Sequence, residues 1–368
     1  MVQQDLNAVL SWLSVNRDLE NSVGIKANIS VKGAACHGGI KAYASHIAKD
    51  DALVVKRLRE AGYNINAVLN MEEGALGAQT DNPWFGKTYN PLKEGYTPGG
   101  SSGGSSAAVA GHLVDVALGT DTMGSVRIPS SYCGLWGFKP SHSKEMLEGV
   151  MPLSPVLDTV GAHAHSLEDV VRITEIICGQ GFSNGAAGDI HLLDYAGKVD
   201  VDDDVQSCFD VFLQKLGPLP KTDLAPYGFG TSRRAGLILS EVEGYAVHAD
   251  RLGKKPDGFS DFFRGMLEYG RDLPLEKIDA AYAHVRELRR ATFPDFILMP
   301  TAPQTAFKFG NPVPANQADF TAFANLADRP AIQFPIGVNE KGLPIGAQLV
   351  GPRGGEADLV AAINTLPI

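Results

Sequence analysis

Apolar positions recur along this chain in two rhythms. From Asp51 to Gly62, residues Ala52, Leu53, Val54, Leu58 and Ala61 fall on one helical face, and Gly62 supplies a C-terminal stop, so the spacing predicts a helix. Leu6 to Leu19 carries leucines and a valine at mixed helical spacing and also predicts a short helix, and Glu276 to Thr292 predicts an amphipathic one. Short apolar runs at Val23–Lys26, Asn66–Asn70, Val114–Leu118, Phe296–Met299 and Ala331–Phe334 predict strands, the last two beside prolines. The order strand, helix, strand between Val23 and Asn70 points to an α/β fold. Asp189 to Asp223 is acidic and has little pattern, and no internal repeat is visible.

The stretch from Tyr96 to Ala110 breaks both rhythms. By composition its glycines and serines read as a flexible linker. It runs, however, straight into Ala107-Ala108-Val109-Ala110, which reads as the start of a buried helix. Ahead of a helix, glycines allow close backbone approach, serines act as caps, and backbone amides are left free to donate. Downstream, the Val114–Leu118 strand leads into Gly119–Pro129, and a strand followed by a glycine-containing turn is a common way to present a nucleophile.

Composition narrows the function classes. With 368 residues, 44% of them hydrophobic, the chain can bury a large core, either as one large α/β domain or as two or three smaller ones. A net charge of −10 without a basic tract argues against partners with a phosphate backbone and against an anionic membrane, and reads as solubility. Residues 1–20 show no signal-peptide pattern, and no apolar run approaches the roughly 20 residues of a membrane span. Cys36, Cys133, Cys178 and Cys208 are far apart and have no zinc-site spacing, which predicts reduced structural thiols in a cytoplasmic protein.

Four local patterns then follow in order: Gly24-Ile25-Lys26-Ala27-Asn28; Pro98-Gly99-Gly100-Ser101-Ser102-Gly103-Gly104-Ser105; Gly119 through Pro129; and Tyr132 through Ser141. Together they resemble the amidase signature family, whose defining stretch is similar to Pro98–Ser141. The resemblance extends to Met71-Glu72-Glu73, Phe85-Gly86, Asn90-Pro91, Leu157–Gly161, Met299–Pro303, Ala324–Ala327 with Pro330-Ala331, and Gly342–Leu349. It implies an α/β fold with a large central mixed β-sheet flanked by α-helices, a single amidase domain over 1–368, and a signature core over about 20–165. It also implies that Ser125 is the nucleophile, that Ser101 follows a cis peptide bond and sits between Ser125 and the base Lys26, and that the backbone amides of Thr122, Met123, Gly124 and Ser125 form the oxyanion hole. Such chemistry is coherent: a serine hydroxyl needs a base, and a lysine serves as one only when burial lowers its pKa. The implied reaction is hydrolysis of a small-molecule carboxylic amide to acid plus ammonia or amine, with no metal and no cofactor. Met71, Ser102 and Arg127 are candidate substrate contacts, and a homodimer is the expected assembly.

Plainer readings stand beside these. Ser102, Ser105 and Ser106 read as caps or loop hydrogen-bonders, Asp121 and Arg127 as an ion pair holding the turn, Cys133 as a packed thiol, and Pro83–Gly86 as core packing or a pocket wall. His37, His46, His142, His163, His165 and His248 read as surface or satisfied histidines, since the implied mechanism needs none. Three departures from the family pattern matter. Met123 stands where glycine is usual, which would strain a turn requiring positive φ and would narrow the pocket. Ala27 replaces the usual aspartate. Only 25 residues precede Lys26 and the chain is short, which predicts a compact enzyme for a small or linear substrate. Two rival functions remain: a glutamine-dependent aminoacyl-tRNA amidotransferase subunit that passes ammonia to a partner, and a catalytically idle scaffold.

Overall fold

In the computed structural model, residues 5–13 and 20–368 are described. The strands are β1 (Val9–Trp12), β2 (Ser22–Lys26), β3 (Asn64–Leu69), β4 (Asp81–Asn82), β5 (Gly86–Lys87), β6 (Val116–Asp121), β7 (Trp136–Lys139), β8 (Thr159–Ala164), β9 (Ile190–Leu193), β10 (Lys221–Thr222), β11 (Phe296–Pro300), β12 (Ala331–Val338) and β13 (Pro344–Val350). The helices are α1 (Leu53–Glu60), α2 (Gly103–Ala110), α3 (Arg127–Tyr132), α4 (Leu167–Cys178), α5 (Asp203–Leu216), α6 (Gly230–Lys254), α7 (Asp261–Arg271), α8 (Leu275–Arg290), α9 (Ala322–Leu326) and α10 (Glu356–Ile363). Strands β4 and β5 form a small ribbon; the others make one 11-stranded mixed sheet in the order β1-β3-β2-β6-β8-β7-β12-β13-β11-β9-β10. This is the expected α/β architecture.

Strands β2, β6, β8, β11 and β13 are buried at every position. Helices therefore cover both faces, and burial along these strands does not alternate from one position to the next. Strand β2 lies parallel to both β3 and β6, so the carboxyl ends of all three emerge at one edge. Strand β8 runs antiparallel to β6 with Thr159 opposite Asp121, which brings Asp158 to that same edge. Ligands in α/β sheets gather at such carboxyl ends.

Two stretches differ from expectation. The helix predicted over Leu6–Leu19 is absent from its described part: Val9–Trp12 is a strand paired antiparallel with β3, and residues 14–19 lie outside the described residues. The exposed hydrogen-bonding edge of β3 outweighs weak helical spacing there. The acidic stretch holds β9, α5 and β10; α5 buries Val205, Phe209 and Phe212 on one face, a helical stripe diluted by the aspartates at its start.

The glycine-serine stretch becomes the tight approach of α2 to the end of β3. A Cβ on Gly104 would collide with the carbonyl of Asn70, a backbone atom that cannot swing away. Gly104→Ala is expected to lower unfolding free energy in urea by about 3 kcal/mol. By contrast Gly253, near the end of α6, has nothing around it. Gly253→Ala is expected to raise stability by roughly 0.5–1 kcal/mol through helix propensity. Equal effects of the two substitutions would contradict this packing.

Candidate active site

Lys26 ends β2 with its side chain fully buried. Its Nζ lies 2.8 Å from Ser101 Oγ, 2.9 Å from Ser102 Oγ and 2.8 Å from Thr120 Oγ1. Asn28 Nδ2 also donates to Thr120 Oγ1, at 3.2 Å. The peptide bond between Gly100 and Ser101 is cis. No carboxylate forms an ion pair with Lys26 among the described residues, and Ala27 is fully buried where an acid would have been. Burial lowers the Lys26 pKa to about 7, against the opposing pull of Asp158, Asp121 and Glu72. Burial raises the carboxyl of Asp158 to about 6 and that of Glu72 to about 7, although each accepts backbone N–H bonds that pull the other way.

Neutral lysine has two N–H groups and one lone pair to offer three hydroxyls. Ser102 Oγ donates its own proton to Thr120 O at 3.1 Å, so toward Lys26 it accepts. The lone pair is then left for the Ser101 or Thr120 hydroxyl.

The turn after β6 is organised by Asp121. Its Oδ1 accepts from Gly124 N at 2.7 Å and from Arg127 Nη2 at 3.0 Å; its Oδ2 accepts from Val126 N and Arg127 Nε, both at 3.1 Å. Burial would raise this carboxyl, but Arg127 and the other donors outweigh it and hold the pKa near 2. The Gly124 amide is therefore committed to Asp121, a correction to its expected place among the oxyanion donors. The N–H groups of Thr122, Met123 and Ser125 have no acceptor among the described residues. Gly124 also carries the turn's positive φ, +132°, while Met123 does not, so the methionine is unstrained. Its side chain packs against α6, where a Cβ on Gly236 would press on Met123 Sδ.

Ser125 and Met123 are partly exposed and line a cavity of about 200 Å³, below the roughly 300–1,000 Å³ of sites for drug-sized ligands. Leu76, Ile128, Leu153, Leu237 and Met266 form its apolar wall, with Arg233 and Gln317 as polar members. Ser102 N donates to Ser125 O at 3.3 Å, joining the two serine loops. No hydrogen bond engages Ser125 Oγ among the described residues.

The three candidate substrate contacts lie elsewhere. Met71 is fully buried in the core. Ser102 is held between Lys26 and Thr120. Arg127 is fully buried, with Nη1 on Gln348 Oε1 at 2.8 Å and Nη2 also on Asn325 Oδ1 at 2.7 Å, so it is the structural partner of Asp121. Trp84 and Phe85 pack on Glu73 and His37, away from the cavity. His142, His163, His165 and His248 each bond to a neighbouring carbonyl or hydroxyl. Thr120 and Asn28 carry no expectation of their own, though both fall inside the sequence patterns around Lys26 and Ser125.

The family model described as Amidase matches residues 22–187 and 269–360. A glutamyl-tRNA(Gln) amidotransferase subunit from Leptospira interrogans is 32% identical, over 94% of this chain and 82% of its own length. The crystal structure of an amidase superposes with a TM-score of 0.84 at 31% identity, covering 93% of this chain and 82% of its own. A glutamyl-tRNA(Gln) amidotransferase subunit from Thermotoga maritima gives 0.79 at 26% identity, covering 97% and 87%.

The lowered Lys26 pKa has a consequence for stability. Between about 7 and 10.5 the unfolded chain holds a proton on Lys26 that the folded chain lacks, so the contribution of this group to stability rises with pH across that interval. Measured by urea unfolding, wild type is expected to gain on Lys26→Met from pH 7 to pH 10, with a flat difference below 7. A difference that is flat above pH 7 would mean that Lys26 is protonated in the fold.

Proposed function

The chain belongs to the amidase family, an enzyme acting on amide C–N bonds, and we propose that it hydrolyses a small carboxylic amide through an acyl-Ser125 intermediate. The observation that carries this is a buried lysine, with a pKa near 7, touching Ser101 beside the loop that presents Ser125 to a cavity.

Ser125 Oγ attacks the amide carbonyl carbon, and its proton passes through Ser101 Oγ to the lone pair of Lys26. The relay closes when Ser101 and Ser125 come into hydrogen-bond contact on substrate binding, since catalytic hydrogen bonds tighten in the Michaelis complex. The tetrahedral oxyanion takes the free N–H groups of Thr122, Met123 and Ser125, each worth about 3–4 kcal/mol to such a transition state. The C–N bond then breaks, Lys26 returns the proton through Ser101 to the leaving nitrogen, and ammonia or amine departs. Water attacks the ester carbonyl and gives a proton to Lys26; the acyl C–O bond then breaks, Lys26 returns that proton through Ser101 to Ser125 Oγ, and the acid leaves. Every step uses the chain's own groups, so no metal or cofactor is called for. We place the enzyme in the cytoplasm, in keeping with its four free thiols; among the described residues no helix is long and apolar enough to cross a membrane.

A second reading draws on the relatives that serve in glutamyl-tRNA(Gln) amidotransferases: the same machinery would release ammonia from glutamine for a partner protein. Glutamine assayed alone and with co-purified partners separates the two.

Ammonia release from a panel of small primary amides tests the first reading. Ser125→Ala and Lys26→Ala, both folded, are expected to lose at least about 10³-fold in activity. Wild-type kcat/KM is expected to rise with pH through about 7 as Lys26 loses its proton. Activity retained in Ser125→Ala would remove Ser125 from the role.

A further inference from the structure

The reaction as drawn uses Met123 through its amide alone and leaves its side chain without a task. The backbone around it is pinned. Its carbonyl accepts from Thr321 Oγ1 at 2.6 Å, and the next amide, Gly124 N, donates to Asp121 Oδ1 at 2.7 Å. The direction in which the side chain leaves the turn is therefore set. It meets a hollow in α6 that fits it: a Cβ on Gly236 would lie 2.6 Å from Met123 Sδ and 3.4 Å from its Cγ, with Leu326 Cδ2 at 3.5 Å. Gly236 is buried and does not take positive φ, so the helix backbone does not call for glycine there. Glycine inside a helix costs stability relative to alanine, and what its missing Cβ admits here is the thioether.

The cavity grades from wet to dry. Phe262 at its rim is 72% exposed, whereas Ile128 and Leu153 are buried. Met123 belongs to the dry end, since its Cγ and Sδ rest on buried positions of α6 and α9. Acyl transfer decides which part of a substrate lies there. The amine departs before water arrives, and both need the side that opens to solvent. The acyl group stays bonded to Ser125 meanwhile and takes the enclosed side. Its neighbours there are Met123, Ile128 and Leu153, which suit an uncharged hydrocarbon chain. Glycine at position 123, usual in the family pattern, would yield the volume of the thioether to that chain.

We propose that the Met123 side chain, seated on Gly236, is the end stop of the acyl site, and that the substrate is the amide of a short, unbranched aliphatic acid. The assignment rests on the amide-hydrolase reading above. Met123 then has two separate parts in the reaction: its N–H faces the oxyanion, and its side chain measures the acyl chain.

Kinetics with propanamide and hexanamide test the acyl side, and N-butylpropanamide against N-methylpropanamide tests the amine side. Wild type is expected to favour propanamide over hexanamide at least roughly 10-fold in kcat/KM, and to separate the two N-alkyl amides far less. Met123→Ala is expected to shrink the propanamide preference at least about 10-fold. Met123→Leu, which keeps the volume, is expected to retain it. Gly236→Ala probes the hollow from outside the cavity wall: it is expected to press the thioether toward the substrate and sharpen the preference. A ratio unmoved in Met123→Ala, with both amides slowed alike, would reduce Met123 to a structural role and overturn the assignment. Hexanamide hydrolysed as readily as propanamide by wild type would overturn it while sustaining the hydrolase reading, and so would discrimination confined to the N-alkyl pair. Calorimetric titration of Ser125→Ala with the same amides reads binding without turnover. A binding preference for propanamide that Met123→Ala removes, with no amide hydrolysed by wild type, would sustain the end stop and overturn the hydrolase reading. Neither hydrolysis nor a chain-length preference in binding would overturn both.

Discussion

The buried pair of Asp121 and Arg127 is the constraint on which the rest of the site depends. A buried ion pair is costly unless its geometry is excellent and its remaining hydrogen-bonding capacity is filled. Here both conditions hold: Asp121 gathers the amides of Gly124 and Val126 together with the Arg127 guanidinium, and Arg127 spends its other nitrogens on Asn325 and Gln348. The carboxylate at the end of β6 therefore folds the following turn onto itself, and the arginine ties that turn to α9 and β13 in the C-terminal half. Asn325 Nδ2 closes the circuit on Asp121 O, and Thr321 Oγ1 bonds the Met123 carbonyl. Once the turn is held this way, the amides of Thr122, Met123 and Ser125 are left over, and the Ser125 side chain faces the cavity because its neighbours are already fixed.

A second constraint acts through what is missing beside Lys26. The lysine is dry and surrounded by hydroxyls rather than by a paired acid. A carboxylate in contact would hold the ammonium charged at neutral pH, whereas hydroxyls solvate it without fixing a proton. Ala27 is consistent with this arrangement. Asp158 and Glu72 remain close enough to be felt, but both are committed to backbone amides, Asp158 to Leu153 and Ser154 and Glu72 to Gln79 and Thr80. The same acids thus shape the loops around the cavity while leaving the lysine proton free to move.

Much of this was legible in the sequence because local patterns carried it. The strand ending in Lys26, the helix closed by Gly62 and the glycine-serine approach to α2 each rest on residues adjacent in the chain. The positive φ of the nucleophile turn falls on Gly124, one position after Met123, where a glycine takes it without strain. The cavity wall was hardly legible. Arg233, Leu237 and Met266 come from helices whose spacing says only that they are amphipathic, and nothing local marks which residue of the Ser232-Arg233-Arg234 run lines the cavity. Their convergence is a property of how α6 and α7 pack, which depends on the whole sheet. The Leu6–Leu19 stretch failed for a related reason, because the partner that makes Val9–Trp12 a strand lies far along the chain in β3.

The most direct test of the central claim is covalent capture of the nucleophile. Intact-mass and peptide analysis after treatment with a fluorophosphonate should show a single adduct on Ser125, with labelling that accelerates as pH rises through about 7 and is lost in Lys26→Ala. An adduct on another residue, or labelling of Ser125 that proceeds equally well without Lys26, would contradict the account.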